Sequence, residues 1–129
     1  MLRGPSGSGK SDLALRLIDN GARLVADDRT DLVVEDGRLI ASSPAPIAGK
    51  LEVRGVGILA LPVVARSRVG IAVDLVAASA VERLPAAQRC SYLGVELPLI
   101  AIAPFEASAP AKLRAVARAL AVGHAVVAA

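Results

Sequence analysis

Gly-Pro-Ser-Gly-Ser-Gly-Lys-Ser, at residues 4–11, determines how the rest of this 129-residue chain is interpreted. It satisfies the pattern G-x-x-x-x-G-K-[ST], in which glycines let backbone N–H groups point at phosphate oxygens. Apolar residues at helical spacing follow it and predict a helix over residues 10–20, with Gly21 just after its end. The N-terminus of that helix favours anions. We therefore predict a nucleoside triphosphate site; the alternative is a Gly/Ser turn that only caps the helix.

Each part of this loop has a predicted task. Lys10 would reach the β- and γ-phosphates, and the Ser11 hydroxyl would hold Mg²⁺. A phosphate loop normally follows a strand of about five or six residues, whereas three residues precede Gly4 here. We therefore expect the chain to be truncated at its N-terminus, before the start of that strand. The predicted phosphate-binding residues are Gly4, Pro5, Ser6, Gly7, Ser8, Gly9, Lys10 and Ser11.

Composition bounds the remaining possibilities. The length suits a single domain over residues 1–129, and 54% hydrophobic residues exclude a disordered chain. Aromatic residues make up 2%, too few for a platform that stacks nucleic acid bases, and the charge of +3 is scattered along the chain. The mean hydropathy is +0.57, but no apolar run reaches the ~18–20 residues of a membrane span. We therefore expect a protein that binds neither nucleic acid nor membrane. Cys90 is the single cysteine, which rules out an internal disulfide and fits a reducing cytoplasm.

The rest of the chain predicts an α/β fold with a mixed sheet flanked by helices. Asp36-Gly37 suits the type I′ turn of a hairpin over residues 31–41. Further strands are expected at residues 23–28, 50–64 and 69–77, and an edge or terminal strand at residues 95–103, with a loop at residues 85–91. A closing helix starts near Pro110. Its predicted apolar face consists of Leu113, Val116, Ala117 and Leu120.

Two acidic residues end the predicted strand at residues 23–28. Ligands of α/β sheets gather beyond the carboxyl ends of strands, so Asp27 and Asp28 are well placed for chemistry. Successive strand side chains point to opposite faces, and a regular strand aims only one of the pair at a phosphate. One would act as general base on an attacking hydroxyl, while the other supports Mg²⁺. The alternative is that either residue caps the following turn.

A second candidate segment is LEVRGVGI at residues 51–58. Glu52 and Arg54 are two residues apart and are predicted to share one face of a strand. A carboxylate there suits Mg²⁺, and a guanidinium grips phosphate with two hydrogen bonds. The alternative is an exposed ion pair of little energetic value.

Taken together, these segments resemble a known family. GPSGSGKS, DLALRLIDNGARL, VADD and LEVRGVGIL occur in the order found in HPr kinase/phosphorylase, and the similarity runs from Leu2 to about Leu99. The chain looks most like the catalytic C-terminal domain in short proteobacterial forms. The resemblance implies a phosphoenolpyruvate-carboxykinase-like P-loop fold and the use of ATP and Mg²⁺. It also implies a homo-oligomer, a hexamer in long forms, that phosphorylates a serine of HPr, the phosphocarrier protein of the sugar phosphotransferase system.

The resemblance also implies individual roles. Asp28 matches the aspartate that takes the proton from the acceptor serine, with Asp27 beside it. The implied metal ligands are Ser11 and Glu52. Lys10 matches the phosphate-binding lysine.

The later part of the chain gives one further match and two departures. Arg83, in the segment VERLP, is similar to a later catalytic arginine of the family. The family has a histidine before the phosphate loop, whereas the single histidine here is His124, which we expect to be structural or solvent-facing. Long forms carry a Pro-Gly-Arg-Asn-like loop tied to dephosphorylation, and PFEASAP stands at residues 104–110 instead.

These departures favour a kinase without phosphorylase activity. Two alternatives stay open from the sequence. The first is a non-catalytic regulator that binds ATP through the same loop. The second is a small-molecule kinase that shares only the phosphate loop.

Overall fold

The computed structural model describes residues 1–27, 29–44 and 49–121. Its helices fall short of the length and apolar character that a membrane crossing requires. A short 3-10 turn spans Ala78–Ala80. The helices and strands are β1 (Leu2–Arg3), α1 (Lys10–Asp19), β2 (Asp31–Glu35), β3 (Arg38–Ser42), β4 (Lys50–Val53), β5 (Gly57–Ala60), β6 (Arg66–Arg68), β7 (Ala72–Leu75), β8 (Gln88–Tyr92), β9 (Val95–Ile102) and α2 (Ala109–Ala121).

These elements form two compact units. The first unit combines Met1–Lys10 with the chain from Gly70 onward, and the second is Ser11–Val69. The α/β class predicted from the sequence is therefore confirmed. The prediction of one domain over residues 1–129, truncated before its first strand, stays a prediction.

The first unit is built on a four-stranded sheet with the order β1-β7-β9-β8. β1, β7 and β9 run parallel, and β8 pairs antiparallel with β9, so the predicted mixed sheet is confirmed. In α2, Ala117 was predicted to belong to the apolar face of the helix but is exposed, so the buried part of that face is narrower than predicted. The buried apolar residues of this unit are Ala72, Val73, Leu75, Leu97, Ile102, Ala103, Ala109 and Leu113.

Two predictions for this sheet are wrong. The sequence predicts a loop or short turn at residues 85–91, but β8 occupies most of them. The strand forms because a tight turn follows it at Leu93-Gly94, where the two residues have φ of 51° and 80°. A leucine in the left-handed region is uncommon, so the sequence does not signal this turn. β9 is also an interior strand rather than an edge strand. Its parallel pairing with β7 begins at Leu99, directly after Pro98, so the missing N–H of that proline interrupts no bond to β7.

Helix α1 ends as its sequence predicts. Gly21 has a φ of 100°, its N–H donates to the Ile18 carbonyl at 2.9 Å, and the Ala22 N–H donates to the Leu17 carbonyl at 3.0 Å. This pair of bonds is a Schellman motif, which satisfies carbonyls at the end of the helix. Leu13, one of the predicted apolar positions, is fully buried.

The second unit contains two small antiparallel sheets, β2-β3-β6 and β4-β5. The hairpin between β2 and β3 is confirmed, because Asp36 and Gly37 have φ of 51° and 72°, as a type I′ turn requires. An exposed ion pair between Arg66 and Glu35 connects β6 to β2. The buried apolar residues of this unit are Leu13, Leu24, Leu39, Ala41, Leu51 and Val69.

Two predicted strands take a different form here. Residues 50–64 make a hairpin rather than one strand, because Gly55 and Gly57 adopt φ of 85° and 120° and reverse the chain. Residues 23–28 do not form a strand over their described part: Leu24 makes a single parallel bridge with Val63. The partner segment contains Pro62, which has no N–H to extend a ladder.

One ion pair fixes the start of the phosphate loop within the first unit. Arg3 donates to both carboxylate oxygens of Asp74, at 2.6 and 2.9 Å, and to the Tyr92 hydroxyl at 3.0 Å. The hydrogen bond to Asp74, followed by the one to Tyr92, raises the pKa of the Arg3 guanidinium above its ordinary value. Arg3 and Asp74 are also register partners on β1 and β7. The side chains therefore reinforce the pairing of the two strands immediately before Gly4.

We expect Asp74→Ala to lower the free energy of unfolding by ~1–2 kcal/mol, because it removes two charge-assisted hydrogen bonds and leaves the Arg3 guanidinium with the Tyr92 hydroxyl but no carboxylate. Urea denaturation of Asp74→Ala, Arg3→Ala and the double variant would give the coupling energy between the two side chains. Glu96→Ala is the matched control, since the Arg89–Glu96 pair is exposed on both sides and is worth less than ~1 kcal/mol. A coupling energy no larger than that of the exposed pair would contradict the role given to Asp74.

Candidate active site

The loop at residues 4–10, which the sequence predicts to bind phosphate, is a glycine-rich turn. Gly7 and Gly9 have φ of 82° and 97°, backbone conformations that residues other than glycine rarely adopt. The Ser8 N–H donates to the Pro5 carbonyl at 3.1 Å, which closes the turn. Helix α1 begins at Lys10, directly after the last glycine. The predicted arrangement of a glycine-rich turn that leads into a helix N-terminus is therefore present.

Lys10 is folded over this turn. Its ammonium group donates to the Gly4 carbonyl at 2.6 Å, so the two ends of the loop are linked by a side chain. This contact places the charge of Lys10 against the loop backbone. A phosphate bound by the loop N–H groups would meet that charge, as phosphate binding requires.

At two glycines of the loop, an added side chain would meet a neighbouring side chain. A Cβ built on Gly4 would lie 2.5 Å from Ser8 Oγ, and one on Gly9 would lie 2.9 Å from Phe105 Cζ. Ser8 Oγ is itself buried and has no hydrogen-bond partner among the residues that the structure describes. The loop is thus packed tightly against its own serine at one end and against Phe105 at the other.

The second unit places an acidic residue beside the end of the loop sequence. Ser11 Oγ donates to Asp27 Oδ1 at 3.4 Å, and both side chains are half-buried. The Arg29 N–H donates to the Asp27 carbonyl at 2.5 Å. Asp28, the predicted general base, lies outside the described residues, as does His124.

The other predicted site residues have different surroundings. Glu52 is exposed on β4, whereas Arg54 lies in the turn after that strand. The prediction that the two share a strand face is therefore wrong, because the strand ends at Val53 and the chain reverses there. Arg83, in the first unit, is exposed in a bend after the 3-10 turn.

The oxygen donors suit the predicted ligands. Mg²⁺ prefers oxygen ligands and is usually bound by one or two protein groups together with substrate phosphates. In the second unit, Ser11 and Asp27 supply a hydroxyl and a carboxylate within hydrogen-bond distance, which fit a metal ion of this kind. In the first unit, the loop supplies glycine N–H groups and the ammonium of Lys10, which fit a phosphate chain.

Sequence reasoning missed Phe105 and the cluster of Arg3, Asp74 and Tyr92. The sequence does contain a signal for Asp74, because it is a charged residue within an apolar strand. No pattern in the sequence indicates that Phe105 lies beside Gly9, because the two residues are far apart in the chain. In the structure 71% of the surface of Phe105 is exposed.

Comparison with known proteins identifies this arrangement. The family model of the HPr Serine kinase C-terminal domain matches residues 1–119. The chain belongs to this HPr kinase family. The family resemblance inferred from the four sequence segments is thereby confirmed.

Individual relatives agree with this assignment. The HPr kinase/phosphorylase of Clostridium tetani is 53% identical over 62 residues, which are 48% of this chain and 20% of that protein. The protein of the same name from Clostridium botulinum strain Eklund 17B is 52% identical over 59 residues, or 46% of this chain and 19% of that protein. The matched segments thus span about one fifth of these curated relatives.

A solved structure matches over a greater length. The Hpr(Ser) kinase/phosphatase of Coxiella burnetii superposes with a TM-score of 0.81 at 30% identity, over 94% of this chain and 86% of that chain. The fold of the HPr kinase family therefore extends over most of this chain.

We expect Ser8→Ala to keep or raise the free energy of unfolding by up to ~1 kcal/mol. The Ser8 hydroxyl is buried without a partner, so its removal ends a desolvation cost and breaks no hydrogen bond. Ser11→Ala is the matched control and should be destabilising by ~0.5–1.5 kcal/mol, because the Ser11 hydroxyl does have a partner. Urea denaturation of both variants measures the difference, and a larger loss for Ser8→Ala than for Ser11→Ala would refute it.

Proposed function

We propose that this chain is an ATP-dependent protein-serine kinase that phosphorylates the HPr phosphocarrier protein of the sugar phosphotransferase system, in the regulation of carbon metabolism. The observation that carries the proposal is the phosphate loop, with Lys10 folded over it and the hydroxyl of Ser11 in contact with Asp27. The names of the relatives from Clostridium and Coxiella supply HPr as the acceptor. The relatives are also named phosphorylase or phosphatase, and we propose only the kinase reaction for this chain.

In-line transfer of a γ-phosphoryl group depends on positioning and on neutralising negative charge. The loop N–H groups and Lys10 would bind the phosphates of ATP. Ser11 and Glu52 would hold Mg²⁺, which when bound neutralises charge on the phosphates. Arg54 and Arg83 are proposed to add positive charge, since both are exposed and available to a polyanionic substrate.

Asp28 is proposed as the general base that takes the proton from the acceptor serine. Asp27 is proposed to support the metal, because its Oδ1 already accepts a hydrogen bond from the metal-binding hydroxyl of Ser11. One carboxylate would thus be committed to the metal while its neighbour stays free of that task.

Three further statements belong to the same proposal. The fold is of the phosphoenolpyruvate-carboxykinase-like P-loop type, the protein is cytoplasmic, and it assembles as a homo-oligomer, a hexamer by analogy with long forms of the family. Size-exclusion chromatography with light scattering would measure the assembly. We give the non-catalytic ATP-binding regulator second place, because nothing in the loop geometry favours it over the kinase.

The proposal is tested with γ-labelled ATP, Mg²⁺ and purified HPr. Label should appear on HPr with the wild-type chain, and Lys10→Ala should reduce the transfer at least ~100-fold by removing the charge against the phosphates. HPr in which the acceptor serine is replaced by alanine is the matched control and should stay unlabelled. ATP binding without any transfer to HPr would favour the regulator instead.

Asp28→Asn separates binding from chemistry. The variant keeps the size of the side chain but cannot accept a proton, so we expect an unchanged dissociation constant for ATP and a rate of transfer lower by ~10²–10⁴-fold. Asp27→Asn is the matched comparison: it should instead raise the Mg²⁺ concentration needed for half-maximal rate. Full transfer activity in Asp28→Asn would show that this residue is not the base.

A further inference from the structure

Phe105 is an exposed aromatic side chain to which the proposed kinase chemistry gives no task. Although 71% of its surface is exposed, its ring touches the phosphate loop. A Cβ built on Gly9 would lie 2.9 Å from Phe105 Cζ, 3.2 Å from Phe105 Cε1 and 3.2 Å from Pro104 Cβ. The ring edge and the proline thus cover one side of the Gly9 Cα.

The backbone around Phe105 is fixed on both sides. Pro104 and the preceding Ala103 are buried. The Glu106 N–H donates to the Ala103 carbonyl at 3.4 Å, and the Ala109 N–H donates to the Glu106 carbonyl at 3.1 Å where α2 begins. The turn between β9 and α2 therefore presents the ring in one place, although little of the ring itself is buried.

Gly9 needs such support more than an ordinary residue does. Its φ of 97° lies in the region that glycine enters freely, and glycine also visits many other conformations. A phosphate loop binds through backbone N–H groups, so its affinity depends on how often the backbone holds the binding conformation. A neighbour that restricts Gly9 would reduce the conformational entropy lost on binding.

We propose that Phe105 is a positioning residue for phosphate binding: by packing on Gly9 it holds the loop in the conformation that binds the phosphate chain. The inference rests on the proposed function, in which residues 4–11 bind the phosphates of ATP. It assigns Phe105 no contact with the nucleobase. The effect of Phe105 on affinity is therefore expected to be the same for every ligand that carries the same phosphate chain.

Calorimetric titration of the full chain with Mg·ATP and with Mg·tripolyphosphate tests this inference. Phe105→Ala should weaken both ligands by the same factor, about three- to tenfold. Phe105→Leu should restore most of the affinity, because a branched apolar side chain again covers Gly9. Leu93→Ala is the matched control: Leu93 is 66% exposed, and its removal should leave both affinities unchanged.

The melting temperature of Phe105→Ala should stay within ~3 °C of wild type, because the ring is mostly exposed. Wild-type affinities for both ligands in Phe105→Ala would overturn the inference, and a loss confined to ATP would overturn it in favour of a contact with the base. In both cases the wild-type chain still binds ATP, and the proposed function stands. A wild-type chain that binds neither ligand would instead contradict the proposed function itself, and this inference with it.

Discussion

The paired hydrogen bonds between Arg3 and Asp74 hold the phosphate loop to the sheet of the first unit. β1 consists of Leu2–Arg3, and its register with β7 is carried by two residue pairs, one of which is this ion pair. Tyr92 on β8 accepts a third bond from the same guanidinium. A loop that recognises its ligand through backbone atoms requires accurate backbone placement. Arg3, immediately before Gly4, and its partner Asp74 provide it, so the proposed phosphate binding would depend on two side chains that are assigned no contact with phosphate.

Close packing is the second condition on the loop. A Cβ on Gly4 would meet the Ser8 side chain, and one on Gly9 would meet Phe105 and Pro104, so a larger residue at either position would displace these neighbours. Gly9 also has a φ of 97°, which favours glycine whatever the space. Among the described residues the buried hydroxyl of Ser8 has no hydrogen-bond partner, so close packing at that atom is not accompanied by hydrogen bonding.

Local signals explain which parts of this fold the sequence predicted. The loop, helix α1 with its Gly21 end and the Asp36-Gly37 hairpin each depend on neighbouring residues with strong conformational preferences. The errors arose where such a signal was absent or lay elsewhere in the chain. Leu93 adopts a glycine-like conformation that its identity does not suggest, and the contact between Phe105 and Gly9 joins segments almost a hundred positions apart. Of the site, the sequence did not predict the contact of Ser11 with Asp27, which lie 16 positions apart. Arg54 lies outside the strand because two glycines reverse the chain there.

The hydrogen bond from Lys10 to the Gly4 carbonyl has a consequence for ligand binding. The ammonium group carries three N–H donors, and the bond to Gly4 uses one of them. A phosphate at the proposed site would therefore engage the ammonium without displacing the carbonyl. The same bond already restricts the long side chain of Lys10, so part of the entropy cost of ordering that side chain would be met before a ligand arrives.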